Sequence, residues 1–270
     1  MEHMVINLIK YLKIYWKLIK FSASLELEYR FSFILEIIVE ISYFIVTLFG
    51  MRVIFWNVTE IAGWHYNELL MLYGINMVFS ELILGIAFIN GLRDLPNKIA
   101  KGSLDLILIK PLNSQFAVSF WRPYFAMFPS LLAGVIIAYI GFKNTGIIFN
   151  PIMIIPFTII FISGLVMAYS LGMIISTVSM WFINAQPLPM LAQNIIQMSK
   201  NPYSVYTGTW KVVFLTLVPV AFMVSIPTST LLGNFNFWWV PSSIIMASLF
   251  LFASHLFWNF ALKKYSSASS

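Results

Sequence analysis

Long apolar runs leave this chain only one kind of solvent. Six of them, at about 31–54, 67–91, 123–142, 152–182, 208–226 and 241–262, lie near or above the ~20 residues a helix needs to cross ~30 Å of hydrocarbon. Hydrophobic residues make up 60% of the sequence and charged residues 10%. A soluble domain could not cover such a surface with polar groups, so the solvent is lipid. The expected fold is an all-α polytopic membrane protein: one transmembrane domain, 1–270, with six spans. The chain has no cysteine, which excludes disulfides and thiolate metal sites. Lysines recur from Lys10 to Lys20 without a compact apolar core before a small-residue site, so no cleavable signal peptide is expected.

A pI of 9.4 would suit a nucleic-acid ligand, but the placement of charge argues for topology. With the N-terminus inside, the inner segments hold Lys10, Lys13, Lys17, Lys20, Arg30, Arg93, Lys98, Lys101, Lys110, Arg122, Lys200, Lys211, Lys263 and Lys264. The outer side keeps Arg52 and Lys143 alone. That asymmetry is the positive-inside pattern. It predicts a multi-pass protein of the cell membrane with both termini in the cytoplasm and no nucleic-acid partner. All acidic residues lie at or before Asp105, so no carboxylate relay can run through the last three spans.

Residues 4–20 place their lysines on one arc and Val5, Leu8, Ile9, Leu12, Tyr15, Trp16 and Ile19 on another. The segment within 1–30 is therefore expected to be an amphipathic helix in the inner interface. It could serve as an orientation anchor or contact a partner subunit. Glu36 and Glu40 are four residues apart, on one helical face, and Glu81 lies in the second span. Carboxylates at membrane depth are expensive and are expected to face protein or water. They have two readings: a substrate or ion pathway, or structural pairing with Arg30 or Arg52. Gly164, Ala168, Gly172 and Ser176 form a small-residue stripe suited to close helix packing. Pro219 is expected to kink the fifth span. The stretch 227–240, opened by Pro227, is too broken for a span and too apolar for a simple loop. A re-entrant or lid element at the outer face is expected there.

Between the second and third spans lies a basic loop, 93–122. Pro96 stands near its start and Lys110-Pro111 forms a stop. Residues 97–109 predict about three helical turns, interrupted at Gly102-Ser103. The loop's apolar content is too high for a free solvated segment, so it should lie on the membrane surface or dock on a partner. No G-x-x-x-x-G-K-[ST] is present, and His3, His65 and His255 lack ligand spacing. His255 reads as a hydrogen-bonded packing residue. Nothing suggests an enzyme active site or a resident metal.

Four stretches, in chain order, resemble ABC-2-type exporter permeases, the transmembrane subunits of bacterial ATP-binding-cassette transporters. They are Tyr29-Arg30; Gly63-Trp64 with Glu68-Leu69-Leu70; Lys101-Gly102-Ser103-Leu104-Asp105 through Lys110-Pro111-Leu112; and Asn201-Pro202-Tyr203 with Tyr206, Pro219, Ile226-Pro227 and Leu231-Leu232-Gly233. The third, similar to the family's G-x-L-D-x-x-L-x-K/R-P-L, is the most specific. The resemblance implies a coupling helix in 93–122 that docks on a separate ATPase, carried here by Asn97, Lys101, Gly102, Leu104, Asp105, Lys110 and Pro111. It implies an outer gate near Pro219 and Pro227. It also implies a second permease, either a copy or a related sibling; Glu36, Glu40 and Glu81 stay candidate pathway residues because of their membrane depth. ATP and Mg would bind the partner ATPase and no cofactor would bind this chain. The implied cargo is a hydrophobic drug, peptide or lipid-like compound moved outward. An ion-coupled secondary transporter or channel using the three glutamates is the alternative, against which stands the lack of an internal repeat. A lipid-acting membrane enzyme lacks any nucleophile or metal constellation.

Overall fold

A computed structural model describes residues 2–28, 30–124, 127–182 and 185–265. Helix α1 (Glu2–Glu28) precedes α2 (Arg30–Ile54), and a hairpin of β1 (Glu60–Ile61) and β2 (Trp64–His65) leads into α3 (Tyr66–Ile83). The hairpin turn has positive φ at Ala62 (51°) and Gly63 (81°), as a tight two-residue turn between twisted strands requires. Three short helices follow: α4 (Leu95–Ala100), α5 (Ser103–Leu108) and α6 (Ser114–Ser119). Then come α7 (Met127–Thr145), α8 (Ile154–Thr177), α9 (Pro187–Gln197), α10 (Gly208–Thr216), α11 (Ile226–Leu231) and α12 (Trp239–Lys264). The fold is all-α and polytopic, as expected.

Among the described residues five segments are long and apolar enough to cross a membrane: Ile34–Ile54, Tyr66–Phe88, Met127–Thr145, Pro151–Trp181 and Trp239–Lys264. The bundle has a hairpin end, marked by Trp64, and a loop end, marked by α4 to α6. Helices α2 and α7 run toward the hairpin end, and α3, α8 and α12 run away from it. Glycine sets how closely they pack. A Cβ at Gly74 in α3 would collide with the backbone of Gly134 and Ala138 in α7, and one at Gly141 would strike the Met71 backbone. The stripe on α8 packs as its composition predicts. Gly164 admits the backbone of Phe222 and Met223, Gly172 meets the Phe88 ring, and Ala168 and Ser176 are fully buried. By contrast α2 has none of its apolar window buried, leaving Val39, Val46 and Phe49 for lipid or a second subunit.

The fifth crossing does not follow the expected path through 208–226. α10 is only nine residues long. Pro219 has no backbone N–H to continue the helical ladder, and the chain resumes as a π-helical turn, Ala221–Ser225, leading into α11. The two parts, Gly208–Thr216 and Ala221–Leu231, are bent by 67°. Between the fourth and fifth expected spans, on a stretch expected to stay inside, residues 185–207 instead climb the bundle. Gln186 donates to Asn97 at the loop end (3.0 Å), Ser199 accepts from Asn76 midway along α3 (2.9 Å), and Ser204 donates to the Ala62 carbonyl at the hairpin (2.8 Å). Trp64 Nε1 donates to Ser204 as well, at 3.2 Å. Lys200 therefore comes off the loop end, where the charge pattern had placed it. The stretch 227–240 is divided between two helices, α11 and the start of α12. Pro227 sits in the first turn of α11, where a missing N–H costs little; Ile226 to Thr230 are buried, and Trp239 already opens α12.

Candidate functional site

The loop between α3 and α7 is a built structure. Lys98 of α4 is 7% exposed and its ammonium donates to the carbonyls of Asn90 (3.1 Å) and Gly91 (3.3 Å), fixing α4 to the end of the second span. Burial lowers its pKa from the usual lysine value, and the nearby Asp94 carboxylate opposes that shift. Asn97 bonds Asp94 at 3.0 Å and receives the Gln186 amide, so it ties α4 to the approach to α9. Gly102 is left-handed, φ +66° with open space around a Cβ. That reversal is what breaks the helix between α4 and α5.

On α5 the sides divide cleanly. Leu104 and Ile107 enter the main core, while Leu106 and Ile109 are 63% and 79% exposed. Of the residues implied by resemblance, Lys101 and Pro111 are exposed, Leu104 is an anchor, and Asp105 is half-buried. Asp105 faces Tyr265 just past α12; burial first, then the Asp105 charge, raises the phenol's pKa. Lys110 lies 3.6 Å from the Trp121 ring centroid, a cation–π contact. The loop's far side is latched to two other elements. The Asn113 amide donates to the Tyr11 hydroxyl at 3.0 Å and Phe116 meets the Tyr11 ring edge-on, joining α6 to α1. Trp258 donates to Ser114 (3.0 Å) and His255 pairs with Gln115 (3.2 Å), joining α6 to α12. His255 is thus hydrogen-bonded, to Asn259 as well, but it is exposed rather than packed. On α1 Lys13, Lys17 and Lys20 are exposed, and so is Trp16 of the expected apolar arc.

The three glutamates fall in the loop-end half of the bundle. Glu36 and Glu40 are exposed on α2, and Glu81 is half-buried on α3. Glu36 accepts from the Tyr124 hydroxyl at 2.7 Å, and Glu40 lies within electrostatic reach of both Glu36 and Glu81. Pairing with Arg52 is not what the fold does: that guanidinium stacks over Tyr66 at 5.0 Å. The Arg30 side chain lies outside the described set. Among the described residues the one ion pair is Lys98 with Asp94, at 3.9 Å. No group of three His, Asp or Glu among them could hold a metal ion. Pro219 and Pro227 flank the π-helical turn and are separated by a buried stretch rather than by an exposed lid.

A second polar set was not singled out from sequence. Along α9 and the 3-10 turn after it, Asn194, Gln197 and Lys200 are exposed at three-residue spacing, while Ala192, Ile196 and Ser199 are buried. The signal is an amphipathic pattern in 187–200, between the expected fourth and fifth spans and too polar for a lipid-facing one.

A family model described as ABC-2 family transporter protein matches residues 41–269. No curated protein and no solved structure matches the chain.

Proposed function

We propose, from the premise that this chain belongs to the ABC-2 transporter family and is the membrane permease of an ABC transporter, that it forms half of an export pathway driven by a separate ATPase. Membership implies ABC ATPase subunits as partners. The exposed Leu106–Ile109 pair supports α5 as their docking site: it is the apolar outer side of a helix whose inner side is locked into the core. Leucine and isoleucine side chains gain ~1.5–3 kcal/mol each when buried, enough to favour docking without holding the loop rigidly to solvent.

In this reading, closure of two ATPases on ATP and Mg pushes α5. The push passes through α6 to α12 by the Trp258–Ser114 and His255–Gln115 bonds, to α1 by the Tyr11 contacts, and to α9 by Gln186–Asn97. Each half then rocks as a body, alternating access across the membrane. Polar side chains at membrane depth need water or a protein partner. The Asn194–Gln197–Lys200 stripe and the Glu36, Glu40 and Glu81 group are therefore assigned to the pathway or to the seam with a second permease, a copy or a related sibling. The bare apolar surface of α2 fits the same seam. Both termini are placed in the cytoplasm of a cell-membrane protein, and the cargo is a hydrophobic or amphipathic compound moved outward.

The test is affinity purification of the tagged chain from its native membrane, with an ATPase assay on what accompanies it. Leu106→Asp with Ile109→Asp should reduce ATPase recovery by on the order of 30-fold, the equivalent of ~2 kcal/mol, while the permease still purifies in normal yield. Undiminished recovery would remove α5 from the docking site. A chain that purifies alone and supports ion-driven flux in liposomes would instead favour the secondary transporter.

A further inference from the structure

At the loop end, beside rather than on the α5 surface, a cavity of about 680 Å³ opens between α4, the α6–α7 connection and the start of α9. Arg93, Lys98 and Arg122 line it against one carboxylate, Asp94. Asp94 is already engaged by Asn97 and lies beside Lys98, and Lys98 spends its protons on two carbonyls. Among the described residues neither guanidinium has an ion-pair partner; Arg93 is exposed and Arg122 half-buried. The Nε of Arg122 is buried and meets no acceptor, an unfavourable state for a charged donor. No acidic residue follows Asp105 in the chain, so α7 to α12 cannot supply the missing partner. Trp121 and the amides of Asn90, Asn97 and Gln186 complete the walls.

We propose that this cavity binds a phosphate group bearing net negative charge, held between Arg93 and Arg122. A guanidinium presents its N–H donors as a planar fork that matches two phosphate oxygens, and a desolvated one gains most from such a partner. The ligand has two sources, the headgroup of an anionic phospholipid or a free phosphate. The headgroup is the nearer one in a membrane. The cavity lies at the end of the bundle where α1 displays Lys13, Lys17 and Lys20, and such residues attract an anionic membrane surface. The site does not depend on the exporter reading.

The test uses the full chain purified with whatever subunits accompany it. Native mass spectrometry would compare retention of phosphatidylglycerol with that of phosphatidylcholine, and calorimetry would titrate inorganic phosphate. Preferential phosphatidylglycerol retention, reduced at least tenfold by Arg122→Gln and unchanged by Lys143→Gln at the other end, supports a headgroup site. Inorganic phosphate binding lost in the same variant, without lipid preference, supports a free-phosphate site. Arg93→Gln, a change to an exposed side chain, carries the comparison if Arg122→Gln does not fold. The proposal is overturned if the wild-type chain binds neither probe, as when a partner's carboxylate already fills the cavity. It is also overturned if the folded variants bind as the wild type does.

Discussion

Lys98 illustrates how one side chain can fix a loop at the cost of a buried charge. Its folded-state pKa is lowered by desolvation, against the pull of Asp94, from an ordinary value of 10.5. Between the lowered value and 10.5 the unfolded chain binds more protons than the folded one, so stability should rise as pH climbs through that window. Thermal unfolding in detergent at a series of alkaline pH values should give this positive slope. Lys98→Met should flatten it. The same change strips the donor from the Asn90 and Gly91 carbonyls, and leaving buried acceptors unpaired costs ~1–3 kcal/mol. A lowered Tm with an unchanged slope would mean that Lys98 is not the titrating group.

Among the elements, the spans α2, α3, α7, α8 and α12 were legible because each is one unbroken apolar run, and the small-residue stripe on α8 already named its packing face. The break at Gly102-Ser103 was legible too, since a left-handed reversal suits glycine. Which apolar residues of α5 stay outside was not, because that depends on α4 and α6 packing against its other side. Packing between α3 and α7 makes a matched pair of tests. Gly74→Val places a side chain against the backbone of Ala138, where neither helix can yield locally, and overpacking of this kind costs ~1–3 kcal/mol or more. Gly50→Ala on α2 has open space and should be neutral or stabilising by up to ~1 kcal/mol, the helix-propensity difference. Tm measured in detergent should separate the two. Equal behaviour would mean that the α3–α7 approach is looser than the glycines indicate.

For the whole molecule, the path of 186–204 decides the topology, and the linear pattern misdirected it for a physical reason. Gln193, Asn194, Gln197, Ser199 and Lys200 interrupt the apolar run, and Pro202 lies just past its end, so no single long span could be read there. The chain is carried across instead by bonds between residues far apart in sequence, Asn76 with Ser199 and Trp64 with Ser204. Such pairing satisfies polar groups inside protein where lipid could not. Charge counting then assigned 183–207 to one side as a block. The two arrangements differ in which face of the membrane Ser204 meets, and the absence of native cysteine makes the difference measurable. With Gln186→Cys and Ser204→Cys in separate chains, an impermeant thiol reagent applied to sealed cells should label position 204 and spare 186, which should react only after the membrane is opened. If both are labelled only after opening, the segment stays inside, α10 with α11 must supply the crossing, and the Asn194–Gln197–Lys200 stripe loses its place in the pathway.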